Sequence, residues 1–507
     1  MLNHITHRTR VTCLLMSLML VSMYLNAQKL NDGITLETEV SGTVSSGDYA
    51  PLWLSANKHG KVSPYDNSAY ERVGLFRSID TDSARVWKRG YGIDLMLNQH
   101  STSTFFIQQA YIEAAYMKVN VSLGAKERSI DLKNNELTSG GLSAGLNAHP
   151  IPQLRIEIDY FSFPGTRGWW KWKMRGSFGM TTDAGWQKDF VRPGTRYTNN
   201  TLYHEKALYW KFGKENATKC PLTFEIGLQM FTQFGGKAYN VDYREHIGGT
   251  QTVEMPENLK AFWRAVFGGG RDVTDFTESN NSGNMLGSYN MRLAWHGNTG
   301  KKNAWEVGAY FERFFEDQSM LTLQYGIQDH LIGFDAKFPK NRFISAAAIE
   351  HLSTRNQSGA VYHDATKSIP DKMNGKDNYY NHNIYTGWQH WGMAIGSPLI
   401  TSPIYNEDGR IYFRNNRVKA WHFGLCGDPT PELHWRLFMT FTQNWGIYFI
   451  PFKDVQKQQY YMAEVGWKPS KLKGWSGRLA FGLDHGDLIG NSFGTQLTIH
   501  KSFTLTK

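Results

Sequence analysis

Along most of this 507-residue chain, apolar and polar side chains alternate one for one. Successive side chains of a β-strand point to opposite faces, so each such segment carries one apolar and one polar surface. Leu154, Ile156, Ile158 and Tyr160 interleave with Arg155, Glu157 and Asp159. Leu222, Phe224, Ile226, Leu228 and Met230 do so with Thr223, Glu225 and Gln229, and Tyr289, Met291, Leu293 and Trp295 with Asn290, Arg292 and His296. Trp305, Val307, Ala309 and Phe311 repeat the pattern, as do Leu433, Trp435, Leu437, Met439 and Phe441 against His434, Arg436, Thr440 and Thr442. The run Phe493, Thr495, Leu497, Ile499, Lys501, Phe503 and Leu505 carries it to the C-terminus. These runs exceed the ~5–6 residues usual for soluble strands, and aromatic residues crowd their ends, where a membrane barrel meets the lipid interface. Roughly 16 to 20 strands of about 10 residues fit the length. The fold class is therefore all-β: a transmembrane antiparallel β-barrel in preference to a soluble sandwich, propeller or lectin.

No stretch after Ala27 has 18 consecutive apolar residues, which excludes membrane-spanning helices there. The mean hydropathy of −0.47 agrees, because barrel strands show lipid only every second side chain. Before Ala27, His4, His7, Arg8 and Arg10 precede the apolar run Val11 to Leu25, and Leu25-Asn26-Ala27 supplies small residues at a cleavage point. Residues 1–27 are thus expected to be a secretory signal peptide, without a lipoprotein cysteine after the cut. The net charge of +10 is spread along the chain. That argues against nucleic acid and suits a polyanionic glycan or lipid A surface. Cys220 and Cys426 could pair in an oxidising compartment, but their neighbours carry no metal or redox spacing and neither is assigned a role.

Helix signals cluster near the start. Ser63-Pro64-Tyr65-Asp66 reads as an N-cap, Pro at the first helical position and an acid three residues on, with Ala69, Val73 and Phe76 on one face. Pro51 to Gly60 reads as a second short helix. Residues 28–85 are therefore expected to be an N-terminal segment with a helical plug or cap, and 86–507 the barrel.

No catalytic set emerges. Gly141-Leu142-Ser143-Ala144-Gly145 matches the G-x-S-x-G elbow, but the flanking Leu137 to Gly140 and Asn147 to Pro152 read as loop, where a nucleophile elbow needs a strand and a helix. Asp484-His485-Gly486-Asp487 and the pair His382 and His390 offer no complete metal-ligand set at a recognised spacing. No cofactor motif is present. The richest chemistry is in Trp169, Trp170, Lys171, Trp172, Lys173 and Arg175. Flat indoles can stack on sugar rings, and the cations can pair with uronate or phosphate. An interfacial aromatic belt with snorkelling cations has the same composition, and both readings stand. Trp388 and Trp391 are further glycan-binding candidates.

Three stretches resemble the capsule assembly Wzi family of Gram-negative outer-membrane proteins: Ala50 to Gly60; Thr138 to Ser143 running through Asn147-Ala148-His149-Pro150-Ile151-Pro152; and Tyr385 to Gly392 with Ile395 to Leu399. The resemblance implies a barrel of about 18 strands in the cell outer membrane, with a helical segment near its start helping to close it. It implies a non-catalytic surface attachment factor for capsular or surface polysaccharide, with outer-membrane lipid and the export machinery as further partners. It also makes Ser143 part of a family loop. A diffusion porin for oligosaccharides is the competing expectation, distinguished by an open, conducting lumen.

Overall fold

The computed structural model describes residues 32–242, 250–267, 283–316, 327–357 and 377–505. The expected signal peptide lies outside them. Eighteen strands form one sheet. The first six are Ile34–Ser45 (β1), Ser68–Arg77 (β2), Trp87–Gln99 (β3), Phe105–Tyr116 (β4), Val119–Ala125 (β5) and Gln153–Ser162 (β6). Next come Trp170–Met180 (β7), Leu202–Gly213 (β8), Leu222–Phe234 (β9), Asn284–Gly297 (β10), Trp305–Glu316 (β11) and His330–Lys337 (β12). Ala346–Ser353 (β13), Val418–Thr430 (β14), Leu433–Gly446 (β15), Pro451–Trp467 (β16), Trp475–Gly486 (β17) and Ser492–Thr504 (β18) complete it. Each pairs antiparallel with its neighbour in sequence, and β1 pairs with β18 from Thr35 against Thr504 to Ser45 against Gly494, which closes the barrel.

The alternation sorts as expected. Along β18, Phe493, Leu497, Ile499 and Phe503 are exposed on the outside while Gln496 and Thr498 are buried inside. Thr223, Glu225 and Gln229 of β9 and Asn290, Arg292 and His296 of β10 likewise face inward. Short turns join the strands at the rim where β1 begins and β18 ends, and the long connections lie at the other rim. In bacterial barrels the short turns face the periplasm. Around the short-turn rim Trp87, Trp210, Trp295, Trp467 and Trp475 stand exposed, an aromatic girdle at one lipid boundary.

Three sequence expectations are corrected. Ser68–Arg77 is a strand, not a helix face. Ala69 and Val73, four apart, share a face in either periodicity, but Phe76, three further on, would join them only in a helix; in the strand it lies on the face of Arg72 (5.7 Å to the ring centroid). What decides is Arg72, directed inward onto Asp94 (2.8 Å) and Glu37 (3.0 Å). The Ser63 hydroxyl accepts from the Tyr65 amide (3.2 Å) as a local turn. Barrel strands begin at Ile34, inside the segment set apart as 28–85, and only 46–67 folds inward, with a single helical turn at Leu52–Ser55 (α1). Tyr160 does not continue the outer face of Leu154 and Ile156. A register shift between Ile158 and Phe161 turns it into the lumen, where its hydroxyl donates to Glu225, and Phe161 takes the outer position.

Candidate functional site

The lumen is occupied by three inward segments, 46–67, 126–152 and 377–417. They contain the three stretches that carry the family resemblance, and these meet one another. The His59 amide donates to Leu146 O (2.5 Å), the Asn57 amide to Asn147 Oδ1 (3.4 Å), and Asn147 Nδ2 to Ala394 O (3.2 Å). The Gly145 amide donates to Ile395 O (2.8 Å), Trp388 Nε1 to Ser143 O (2.8 Å), and His390 Nδ1 lies 2.9 Å from His149 O. Where the chains cross there is no room for a side chain. A Cβ on Gly145 would lie 2.4 Å from Gly396 O, and one on Gly60, whose φ is +71°, 2.6 Å from the His149 ring.

Inward-facing wall carboxylates hold these segments by their amides and hydroxyls. Glu350 of β13 accepts from Thr138 Oγ1 (2.5 Å), the Ser139 amide (2.8 Å), Ser139 Oγ and Tyr310 OH (2.6 Å). Glu312 of β11 accepts from the amides of Leu142 (3.0 Å) and Ser143 (3.1 Å) and pairs with Lys133. Asp484 of β17 accepts from the Leu52 amide (2.8 Å) at the start of α1. These side-chain oxygens satisfy irregular backbone that has no ladder of its own. Trp53, Tyr379, Tyr380, Trp388 and Phe413 fill the centre, each almost wholly buried.

Between 126–152 and the wall from β6 to β9 a cavity of about 110 Å³ remains, lined among others by Lys126, Arg128, Asp131, Arg155, Arg175 and Glu205. This is room for water on the order of a few molecules, not for an oligosaccharide. Arg155 and Arg175 both reach Glu205 (2.7 and 2.5 Å), Asp131 pairs with Lys173 (2.7 Å) and Arg175, and Arg128 donates to Ser122 Oγ (2.9 Å). Burial opposes ionisation of Asp131, but Arg175 and Lys173 outweigh it and hold the carboxyl well below the usual range.

The candidates read from the sequence do not come together as one surface. Strand alternation directs Lys173 and Arg175 into the lumen, where both are ion-paired. Trp169 stands exposed on the outside, Trp170 stacks on Phe163 (4.0 Å between centroids), and Trp172 lies beside Phe161 (6.1 Å). Lys171, opposite Lys211 in the register, sits with them at the short-turn rim. Trp388 is fully buried in the plug. Trp391 stays partly exposed, in a tight hairpin turn where it and Gly392 have φ of +55° and +79°, beside Phe106 (4.8 Å). Ser143 is buried, with Oγ 2.7 Å from Ser288 Oγ and 3.3 Å from Glu312, so its hydroxyl serves the plug-to-wall contact. His382 accepts from the Ile384 amide (3.1 Å) and His485 Nδ1 lies 2.7 Å from Asn491 Oδ1, each a local turn contact. Cys220 and Cys426 are both free thiols.

Sequence reasoning missed the residues at the long-loop rim. There Ala184–Phe190 (α2) and the segments 191–200, 237–242 and 403–414 form one layer: the Arg192 amide donates to Gly409 O (3.0 Å) and Asn240 Nδ2 to Thr195 O (3.0 Å). Tyr197 and Tyr239 stack with centroids 4.7 Å apart and planes 13° from parallel. Arg192 and Arg410 are exposed, and Arg414 lies beside Tyr412. Arg410 and Arg414 share Asp408 (3.8 and 2.8 Å). Arg192 and Arg196 have no carboxylate within ion-pair distance among the described residues; Arg196 donates to Asn383 O. Scattered over three connections, these residues leave no local motif.

Comparison with solved structures places the fold. It is similar to that of Wzi of Escherichia coli, an outer-membrane protein involved in group 1 capsule assembly and a carbohydrate-binding β-barrel. Identity is 12%, covering 96% of this chain and 88% of that one, with a TM-score of 0.56. OccK3 (OpdO) of Pseudomonas aeruginosa matches at 11% identity over 95% of this chain and 99% of that one (TM-score 0.44). OprD of the same organism matches at 8% over 94% and 96% (TM-score 0.42). No protein-family model and no curated protein matches the chain. The expected resemblance to Wzi is thus borne out as a fold: a closed 18-stranded outer-membrane-type barrel.

Proposed function

We propose that this protein binds exported capsular or surface polysaccharide at the long-loop rim of a plugged outer-membrane barrel and keeps it at the cell surface, without catalysis. The observation that carries the reading is that, among the described residues, three inward segments occupy the lumen and are fixed to the wall by Glu350, Glu312 and Asp484. Such a barrel is suited to presenting a surface, whereas a diffusion porin requires an open path. The long-loop rim offers what an acidic glycan needs: a stacked tyrosine pair beside arginines that lack carboxylate partners among the described residues. Individually weak contacts along a repeating chain add through avidity. Lipid contacts the outer belt, and the export machinery is the partner that would deliver the glycan.

The test has two arms. Detergent-solubilised protein should bind an acidic capsular glycan in a salt-sensitive manner, and joint replacement of Arg192, Arg196 and Arg410 by Ser should weaken binding by about tenfold or more, on the scale of ~1.4 kcal/mol per decade. Replacing Trp169, Trp170 and Trp172 at the opposite rim should leave it unchanged. In planar bilayers the protein should conduct little, and a steady porin-sized conductance would replace this reading with the diffusion channel.

A further inference from the structure

Inside the barrel at the short-turn rim, three ligand atoms of different chemistry converge from two parts of the chain. Cys426 Sγ of β14, a nitrogen of His434 in β15 and a carboxylate oxygen of Glu136 in the inward segment 126–152 all lie within 4.8 Å of one another. The hairpin between β14 and β15 explains the first two: strand alternation directs Cys426 and Asp428 of one strand, and His434 and Arg436 of the other, into the lumen. Glu136 reaches them from the plug.

The histidine is arranged as a ligand. Its Nδ1 lies 3.1 Å from Asp428 Oδ1, and Asp428 is itself fixed by Ser345 Oγ (2.6 Å) and Lys340 (3.5 Å). A carboxylate on one ring nitrogen fixes the tautomer and leaves the other nitrogen's lone pair for a metal. That other nitrogen, Nε2, is buried and 2.7 Å from Glu136 Oε1, yet makes no well-directed hydrogen bond there. The nearby cation, Arg436, is engaged elsewhere, with Glu464 (3.0 Å) and the Glu136 carbonyl (3.1 Å).

We propose that Glu136, Cys426 and His434 form a site for a thiophilic divalent cation of the zinc type, which ties the plug to the barrel wall. Sulfur, imidazole and carboxylate are the ligand set that such an ion takes in tetrahedral geometry, the fourth position being left to water. Binding expels the Cys426 thiol proton to solvent, so thiolate and carboxylate together neutralise the ion. Metal-to-ligand distances of about 2.0 to 2.3 Å require the three groups to draw together, and partly exposed Glu136 has the freedom to do so.

Cobalt(II) is the probe. Added to chelator-treated, detergent-solubilised full-length protein, it should bind once per chain with a thiolate-to-metal absorption band in the near ultraviolet, and Zn²⁺ should displace it. Cys426→Ser should abolish the band and Cys220→Ser leave it intact. Glu136→Gln, at an exposed position that keeps the barrel intact, should weaken binding, and Asp428→Asn should do so by about 10 to 100-fold. Absence of the band in the parent protein, its loss in Cys220→Ser, or affinity unchanged in both Glu136→Gln and Asp428→Asn would overturn the assignment.

Discussion

Among single residues, Lys58 shows most clearly what folding into a lumen does to a charge. It follows α1 in the first inward segment, and its ammonium donates to Leu54 O (2.7 Å) and Gln496 Oε1 (2.6 Å), with no carboxylate in contact among the described residues. Burial pushes its pKa down to about 7, with Glu464 opposing. Below about pH 7 the lysine is protonated folded and unfolded alike, and the folded state bears the full cost of burying the charge. Between there and the ordinary lysine value the unfolded chain holds a proton that the folded chain has released, so stability rises with pH, by at most ~1.4 kcal/mol per unit. Lys58→Met removes this titration. Guanidinium midpoints should therefore show the variant's advantage greatest near pH 7 and shrinking towards about pH 10, whereas a constant difference would mean that Lys58 is no pH-dependent cost.

For the inward segments, the decisive feature is that irregular backbone is held by a few wall carboxylates instead of a hydrogen-bond ladder. Glu350→Ala leaves the Ser139 amide and the Tyr310 hydroxyl without their acceptor, and each buried orphan costs about 1–3 kcal/mol. The barrel does not depend on those bonds, because β13 keeps its pairing with β12 and β14. The variant should thus keep a barrel that resists unfolding in detergent while its plug becomes sensitive to protease and the protein gains conductance in bilayers. A barrel that fails to assemble would show instead that the plug is needed for closure. Each of the three segments contains a stretch legible in the sequence through its family resemblance. Their mutual contacts could not, because Asn57, Asn147 and Ala394 are brought together only by the barrel that encloses them.

Across the whole molecule, the outer belt sets where substitutions are tolerated. Leu497 is exposed near the middle of β18 and Phe503 near the short-turn rim. Leu497→Arg should cost ~2–4 kcal/mol and Phe503→Arg ~0–1, since the penalty for a cation falls from the midplane to the interface. Unfolding titrations in lipid vesicles would check this, and equal costs would place the belt elsewhere. The sequence by itself determined the barrel and, for the six strands whose alternation is plainest, which side chains face out and which in, because a two-residue period writes both faces into consecutive positions. It misread Ser68–Arg77, where Ala69, Val73 and Phe76 mimic a helix face although Phe76 lies on the other side of the strand, and Tyr160, which a bulge turned inward. Only the tertiary structure decided what fills the lumen and which residues crown the long-loop rim. Contacts such as Ser139 with Glu350, or the stacking of Tyr197 on Tyr239, join residues far apart in the chain and depend on closure of a sheet whose first and last strands meet.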